Sequence, residues 1–579
     1  MKSYKILILL LLNLFNGGTY AQVISEYWDR AQTKTKSEQQ MKDGMQHGKY
    51  IAWYENGLIA KEGGFSEGKE NGKFISYYPD KKKKMEENYI KGEKNGEFKY
   101  WYANGNKAQE TFFIYDKPDS TWTGWYENGS LKSVENYMLG NKVGGWIYYH
   151  GNGQKESEGE FKNNLAEGGY EGWYMNGNKE KQGLYKNGKK AGTWKEWFNT
   201  GKPKQEIMYE NEEALILNLW SNSNEEIIKN GTGKLTTIYD NGKIKTEGNY
   251  TDGRMNGDWL FYNSTGEKDF IVMYKNGKKN GACTNWYKNG KVKSEGEFKN
   301  DKKSGYWKWY NEFGKIEMEG LLIDNLRNEK WINWFDNGIK ESEGYYKSDL
   351  QDSAWTYWYK DGSKWKEGNY KLNKKNGHWK VWFESGQKLQ EGNYFEGEEQ
   401  GAWTSWYAGG ETKDEGHFKA GKMHGSWKGW LPNKKSNYEG FYTDDLKSGA
   451  WKYYFDSGKI KEEGSYKAGK KNGHWVFWTP QGIKDSEGNY KEEKPCGNWT
   501  HYYPTGVKSM EQKFTDGKLS GDCSSWYENA SLKSRTSYTL IKDKKGSRIE
   551  SKPHGKWIYY DTNKKIIMET LYKKGVKKK

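Results

Sequence analysis

Histidine and cysteine are the residue types that most readily do metal and acid–base chemistry, and this 579-residue chain has 8 of the first and 3 of the second. A catalytic site needs one geometry, so its residues should stand at unique places in the sequence. Here His47 and His424 end segments of closely similar pattern, and His378 and His474 each follow a glycine that opens one. No metal-ligand spacing, nucleophile motif or phosphate loop stands out, and Gly63-Gly64 belongs to the same recurring pattern. The expectation is a protein that is no enzyme, without catalytic, cofactor-binding or metal-binding residues and without a cofactor. Tryptophan is the residue whose spacing points to recognition. Trp334, Trp358, Trp382, Trp406 and Trp430 recur every 24 residues, and Trp is enriched where truncation costs binding most. These five are the candidate partner-binding residues.

The elements that would position them form a repeat. Gly377 to Gln400 reads GHWKVWFESGQKLQEGNYFEGEEQ, and Gly401 to His424 reads GAWTSWYAGGETKDEGHFKAGKMH in the same frame. Openings fall at 48, 72, 96, 120, 144, 168 and 192, at 233 and every 24 residues to 521, and at 555, which makes 21 units. A fixed period of this length marks a stacked array. Residues 1–21 read as a leader, 22–47 as an N-terminal cap, 48–215 as seven units, 216–232 as an insertion, 233–544 as thirteen units, 545–554 as a second insertion, and 555–579 as the last unit with a basic end.

Within a unit, two aromatic runs flank positions 9 and 10, often Asn-Gly as in Asn56-Gly57 and Asn289-Gly290. That is a hairpin signal, and a type I′ turn needs positive φ at both central residues. With the turn placed there, paired positions sum to 19. Trp379 then faces Gly392 and Trp403 faces Gly416, each ring able to cover the bare glycine across from it. Trp403, Tyr407, Gly416 and Phe418 share one face, and Trp406 and Glu415 the other. The expected fold is all-β, an elongated and twisted antiparallel meander of about 21 tandem hairpins. Hydrophobic residues make up 34% of the chain and aromatics 17%, so large rings must supply most of the buried area.

The unit, as in Gly48 to Asn71 and Gly281 to Ser304, resembles the variant MORN repeat (membrane occupation and recognition nexus) of bacteria, found in proteins often labelled YwqK-type antitoxin. Units opening at 72, 96, 120, 168, 192, 257, 497, 521 and 555 depart from its Glu-Gly signature. The resemblance implies an array of β-hairpins that mediates contacts, with no catalytic residues to carry over.

Lys2 and Lys5, the apolar run Ile6 to Phe15 and the small residues up to Ala21 form the pattern of a secretory signal peptide. The expected location is the periplasm, the cell surface or the medium. Of the net charge of +16, +9 sits in Ile541 to Lys579, with 13 basic against 4 acidic residues. The body lacks a long basic stripe, so nucleic acid is not expected as a partner. The expected partner is an envelope protein or a polysaccharide, with the basic C-terminal end able to touch an anionic surface. Cys283 and Cys523 stand where Trp usually does and read as buried substitutes for it, while Cys496 and Cys523 lie close enough in sequence to pair.

Overall fold

A computed structural model describes residues 4–8, 22–542 and 549–578. These fall into two compact bodies, Met1–Glu267 with Met273–Lys278, and Lys268–Val272 with Lys279–Lys579. Each is an antiparallel meander of β-hairpins, and among the described residues no helix is long and apolar enough to cross a membrane. Strands of eight or nine residues alternate along the chain, as in Lys374–Trp382 followed by Lys388–Phe395, then Glu398–Trp406 and Thr412–Lys419. The 24-residue unit is therefore one hairpin, repeated.

Register follows the expected arithmetic. Trp379 pairs with Gly392, and Trp403 with Gly416. The turns do not follow it. At Asn56-Gly57 only Gly57 is left-handed (φ +83°), and the Gly57 N–H bonds the Tyr54 carbonyl at 2.9 Å. This is a longer turn closed by a left-handed glycine. The two-residue turn with both φ positive lies at the other edge, at positions 20 and 21: Ala420 (φ 50°) and Gly421 (φ 74°), with Lys419 paired to Lys422. The expected type I′ turn at positions 9 and 10 is thus corrected to positions 20 and 21.

The ring also covers a different glycine from the one expected. The opening Gly377 is left-handed (φ +74°), and Gly377, His378 and Trp379 together oppose Gly368 of the preceding unit. This bulge re-aims the indole backward. A Cβ on Gly368 would lie 2.2 Å from the Trp379 ring, and a Cβ on Gly392 would meet Trp403 at the same distance. The indole N–H of Trp379 donates to the Asn369 carbonyl at 3.0 Å. Tryptophans seated in this way clamp their unit to the one before it, the indole N–H donating to a carbonyl of that unit, as Trp194 to Leu184 and Trp475 to Ser465. Trp146 departs, lying against Gly159 of its own unit with its indole nitrogen unbonded.

The expected cap forms a hairpin of its own, Gln22–Tyr27 with Thr35–Lys42, and Tyr4–Ile8 runs antiparallel beside Gln22–Tyr27. The remainder of the expected leader lies outside the described residues. The expected insertion at 216–232 is an added hairpin, in which Glu213–Trp220 pairs with the short strand Glu226–Lys229 and Ile228 is fully buried. Toward the C-terminus the strand Leu532–Lys542 is lengthened to eleven residues and pairs with Ile549–Pro553; the expected insertion of 545–554 falls partly outside the described residues. Cys283 and Cys523 are buried opposite Gly296 and Thr536, and all three cysteines are free thiols. Burial pushes the Cys283 thiol up, so it is protonated and unreactive.

Candidate interaction surface

The two faces of the meander are built differently. On the face of the third place, each indole is wedged between the rings at position 18 of its own unit and of the unit before. In the C-terminal body this gives an edge-to-face relay: Tyr370 to Trp379 (5.0 Å between centroids), Trp379 to Tyr394 (6.2 Å), Tyr394 to Trp403 (5.2 Å), Trp403 to Phe418 (5.6 Å) and Phe418 to Trp427 (5.2 Å). Edge-to-face geometry lays the positive rim of one ring against the negative face of the next. Lysines at position 23 cover the outer side, with Lys375 at 4.9 Å from the Trp379 ring, Lys447 at 4.6 Å from Trp451 and Lys471 at 3.9 Å from Trp475. Their ammonium groups lie against the rings; burial holds Lys375 and Lys447 below the usual lysine range, and Lys471 is paired with Glu462 at 2.8 Å. Trp379, Trp451 and Trp475 are accordingly 2%, 1% and 0% exposed.

The five candidate tryptophans occupy the other face, and all five are half-buried. Lys340, Lys364 and Lys388 lie over the rings of Trp358, Trp382 and Trp406, at 5.8, 5.6 and 5.3 Å. Each of these lysines also bonds the glutamate three residues on, at 2.7 Å to Glu343, 2.7 Å to Glu367 and 2.9 Å to Glu391. Trp334 and Trp430 follow units that carry Ile316 and Thr412 at the lysine's place. Where the sixth residue is a tyrosine and the preceding unit carries the glutamate, the hydroxyl donates directly to it, as from Tyr262 to Glu247 (2.6 Å) and Tyr502 to Glu487 (2.5 Å). The Tyr502 bond and Lys484 hold Glu487 below the usual carboxylate range, and the bond that Tyr502 donates to Glu487, with burial, pushes the phenol up to about 12. Burial would raise Glu343, but the bond to Lys340 and the charge of Lys330 outweigh it and keep the carboxyl low. From Trp358 to Trp406 the strip is therefore a regular ladder of ring, lysine and carboxylate.

A third ladder, which sequence reasoning missed, runs along the edge of the longer turns. The side-chain amide of Asn104 donates to the Glu127 carbonyl 23 residues on (2.7 Å), Asn128 to Gly151 (3.1 Å), Asn152 to Met175 (2.8 Å) and Asn289 to Glu312 (2.9 Å). Beside it, the seventh-place tyrosines do the same with their hydroxyls, Tyr102 to Trp125 and Tyr407 to Trp430, both at 2.9 Å. The recurrence of Asn at position 9 was the available signal, and its cause is this bond rather than a positive φ. Among the described residues no cluster of three or more His, Cys, Asp or Glu could hold a metal ion.

No curated protein matches the sequence. Solved structures that match at the level of the whole chain include TcdB2-TccC3 (8% identity, 96% of this chain, 35% of that chain, TM-score 0.12) and the Tc holotoxin pore of Photorhabdus luminescens (9%, 96%, 34%, TM-score 0.12). The chain spans about a third of the length of those chains, and superpositions of that quality assign neither fold nor function. The family model described as MORN repeat variant matches residues 70–91, 94–115, 118–138, 142–163, 190–211, 232–252, 279–300, 303–324, 375–396, 447–468 and 553–574. Ten of the eleven matched stretches begin just past one two-residue turn and end at or beside the next, so the matched segment is the hairpin itself; the eleventh, 553–574, begins at the end of the strand Ile549–Pro553. The chain is thus a β-hairpin array that carries the MORN repeat variant in those eleven places.

Proposed function

We propose that the array is a non-catalytic scaffold, exported to the bacterial cell envelope, that presents its sixth-place ladder to a partner protein. The observation that carries this reading is the regular, half-buried row of Trp358, Trp382 and Trp406 with a lysine and a carboxylate beside every ring. A contiguous row of accessible rings rimmed by charge is the composition of a contact surface. The test is affinity capture from envelope extracts with the mature protein and with a variant carrying Trp358→Ala, Trp382→Ala and Trp406→Ala. Loss of the captured partner with a folded array supports the reading, and unchanged capture removes it.

Glycan binding is the second reading, favoured by flat rings with adjacent carboxylates, and sedimentation of the mature protein with peptidoglycan or an insoluble polysaccharide would select it. Export itself is tested by N-terminal sequencing, where a mature protein still reading Met1 would exclude cleavage near Ala21. The basic end, Ile566–Lys573 paired with Val576–Lys578, is proposed to add an electrostatic contact with an anionic surface. That contact should weaken as salt shortens the Debye length from about 10 Å at 0.1 M to about 3 Å at 1 M.

A further inference from the structure

One stretch of the third-place face breaks the rule of its neighbours in three ways at once. At position 23, where Lys375, Lys447 and Lys471 lay an ammonium group over the rings, the next two units carry Glu399 and Met423. At position 5, Tyr357, Tyr453 and Phe477 stack on the tryptophan two residues before them, at 5.7, 5.6 and 6.1 Å. The corresponding residues here are Ser405 and Gly429, which have no ring to lay on Trp403 and Trp427. At position 14 stands Asp414, whose carboxylate accepts from Ser405 Oγ (3.1 Å) and from the Tyr438 hydroxyl (2.8 Å). The result is a depression of about 650 Å³ lined by Tyr394, Trp403, Phe418 and Trp427, with Glu399 and Asp414 on its wall. Trp403 and Trp427 keep 9% and 8% of their surface, where Trp451 and Trp475 keep 1% and 0%.

The charge balance of the depression is unusual for a chain of net charge +16. Among the described residues neither Glu399 nor Asp414 has a basic nitrogen in ion-pair contact. Lys375 lies on the upstream side, engaged with the Trp379 and Tyr394 rings, and Lys413 at the far end, over Tyr407. Among the described residues the other acidic residue at position 23, Glu70, shows the contrast. There Lys61 supplies the missing cation, bonding Glu70 at 3.3 Å and lying 4.7 Å from the Phe74 ring. The residue matching Lys61 in the unit of Glu399 is Gln390. Ring faces bounded by carboxylates attract an organic cation by their quadrupole and by charge together.

We propose that this depression binds an alkylammonium group, the side chain of a lysine presented by a partner protein, in the place that Lys375, Lys447 and Lys471 fill in their own units. The inference goes beyond the scaffold reading and rests on the third-place rings, although Trp406 of the sixth-place ladder is also among the residues that line the depression. It is tested by titrating the full chain with the peptide acetyl-Gly-Lys-Gly-amide and with its norleucine counterpart, following tryptophan emission. The lysine peptide should saturate and the norleucine peptide should not. Glu399→Lys installs the cation that neighbouring units carry, so it should weaken binding at least tenfold without lowering the thermal midpoint. Asp414→Asn should weaken it as well, and Glu341→Gln, an exposed carboxylate elsewhere, should leave it unchanged. Equal binding of the two peptides, or unaltered binding by both the Glu399 and the Asp414 variants, overturns the proposal. Self-association of the chain that is lost in Glu399→Lys would make the lysine donor a second copy and overturn the partner. Partner capture lost only on replacing Trp358 and Trp382 reports on the sixth-place ladder and is read separately from this titration.

Discussion

Trp379 and Trp382 stand three residues apart on one strand, in the same repeat, and differ in almost every physical respect. Trp379 is 2% exposed, lies on the bare backbone of Gly368 and donates its N–H to Asn369. Trp382 is half-buried under the aliphatic stem of Lys364, which is tied to Glu367. The difference comes from what lies beneath the ring rather than from the ring. A glycine one strand back gives the first indole a flat seat, and a lysine and a glutamate give the second a charged cover. Residue type alone does not separate structural from recognition rings in such an array; the neighbour in the preceding unit does.

The comparison is broken most severely by Trp379→Ala, which should cost about 3–5 kcal/mol, the usual range for emptying a buried aromatic site. Denaturant unfolding followed through the adjoining units would show it. Next is Gly368→Ala, whose added Cβ falls 2.2 Å from the same ring and should cost about 1–3 kcal/mol through overpacking. The two substitutions together should cost clearly less than their sum, because they remove the two halves of one contact; strict additivity in a double-mutant cycle would show that the seat is not what buries the ring. Trp382→Ala should lower stability by about 1 kcal/mol, since it forfeits partial burial and the Lys364 contact, and a loss equal to that of Trp379→Ala would mean the faces have been assigned backwards.

A pH series sharpens the contrast among sixth-place residues. Burial and bonds to glutamate push Tyr310 and Tyr454 up to about 12, and a bond to Glu247 and burial do the same for Tyr262. An unfolded tyrosine ionises near 10, so the folded state holds these protons more tightly. The stabilisation is fully present below about pH 10 and is lost as pH rises towards 12. Thermal midpoints measured from pH 8 upward should therefore fall beyond about pH 10, in step with phenolate absorbance, and a flat profile to pH 12 would contradict the bonds. The smallest effect expected is that of Asn289→Ala, about 0.5–1.5 kcal/mol for one bond between turns, read as faster amide exchange around Glu312.

Much of this was legible before any coordinates. The period, the hairpin in each unit and the pairing of Trp379 with Gly392 follow from spacing alone, because a side-chain period of two leaves little freedom in register. The type of turn was misread, since Asn-Gly at position 9 suggests positive φ at both residues while the actual two-residue turns carry pairs as unlike as Ala420-Gly421 and Asp444-Asp445. Asp252-Gly253 and Asn276-Gly277, at the correct edge, were the overlooked signal. The direction of the indole depends on a bulge at Gly377, a property of three residues acting together that no pairwise rule contains. The sixth-place row was visible as a period. The depression at Trp403 and Trp427 was not, because it arises from several departures, at Glu399, Ser405, Met423 and Gly429, each of which reads alone as ordinary divergence.

The bonds from Asn104, Asn128 and Asn289 each reach 23 residues forward, and this fixed reach has a kinetic meaning. The mean sequence separation of contacts stays the same however many units are added, so relative contact order falls as the chain lengthens, contrary to the trend for most β-proteins. During synthesis, a hairpin finds the partners for its turn within one further unit of emerged chain, long before the C-terminus exists. Folding of the array should then proceed as a travelling boundary whose speed is set by one unit, with chain length determining how far it travels rather than how hard each step is.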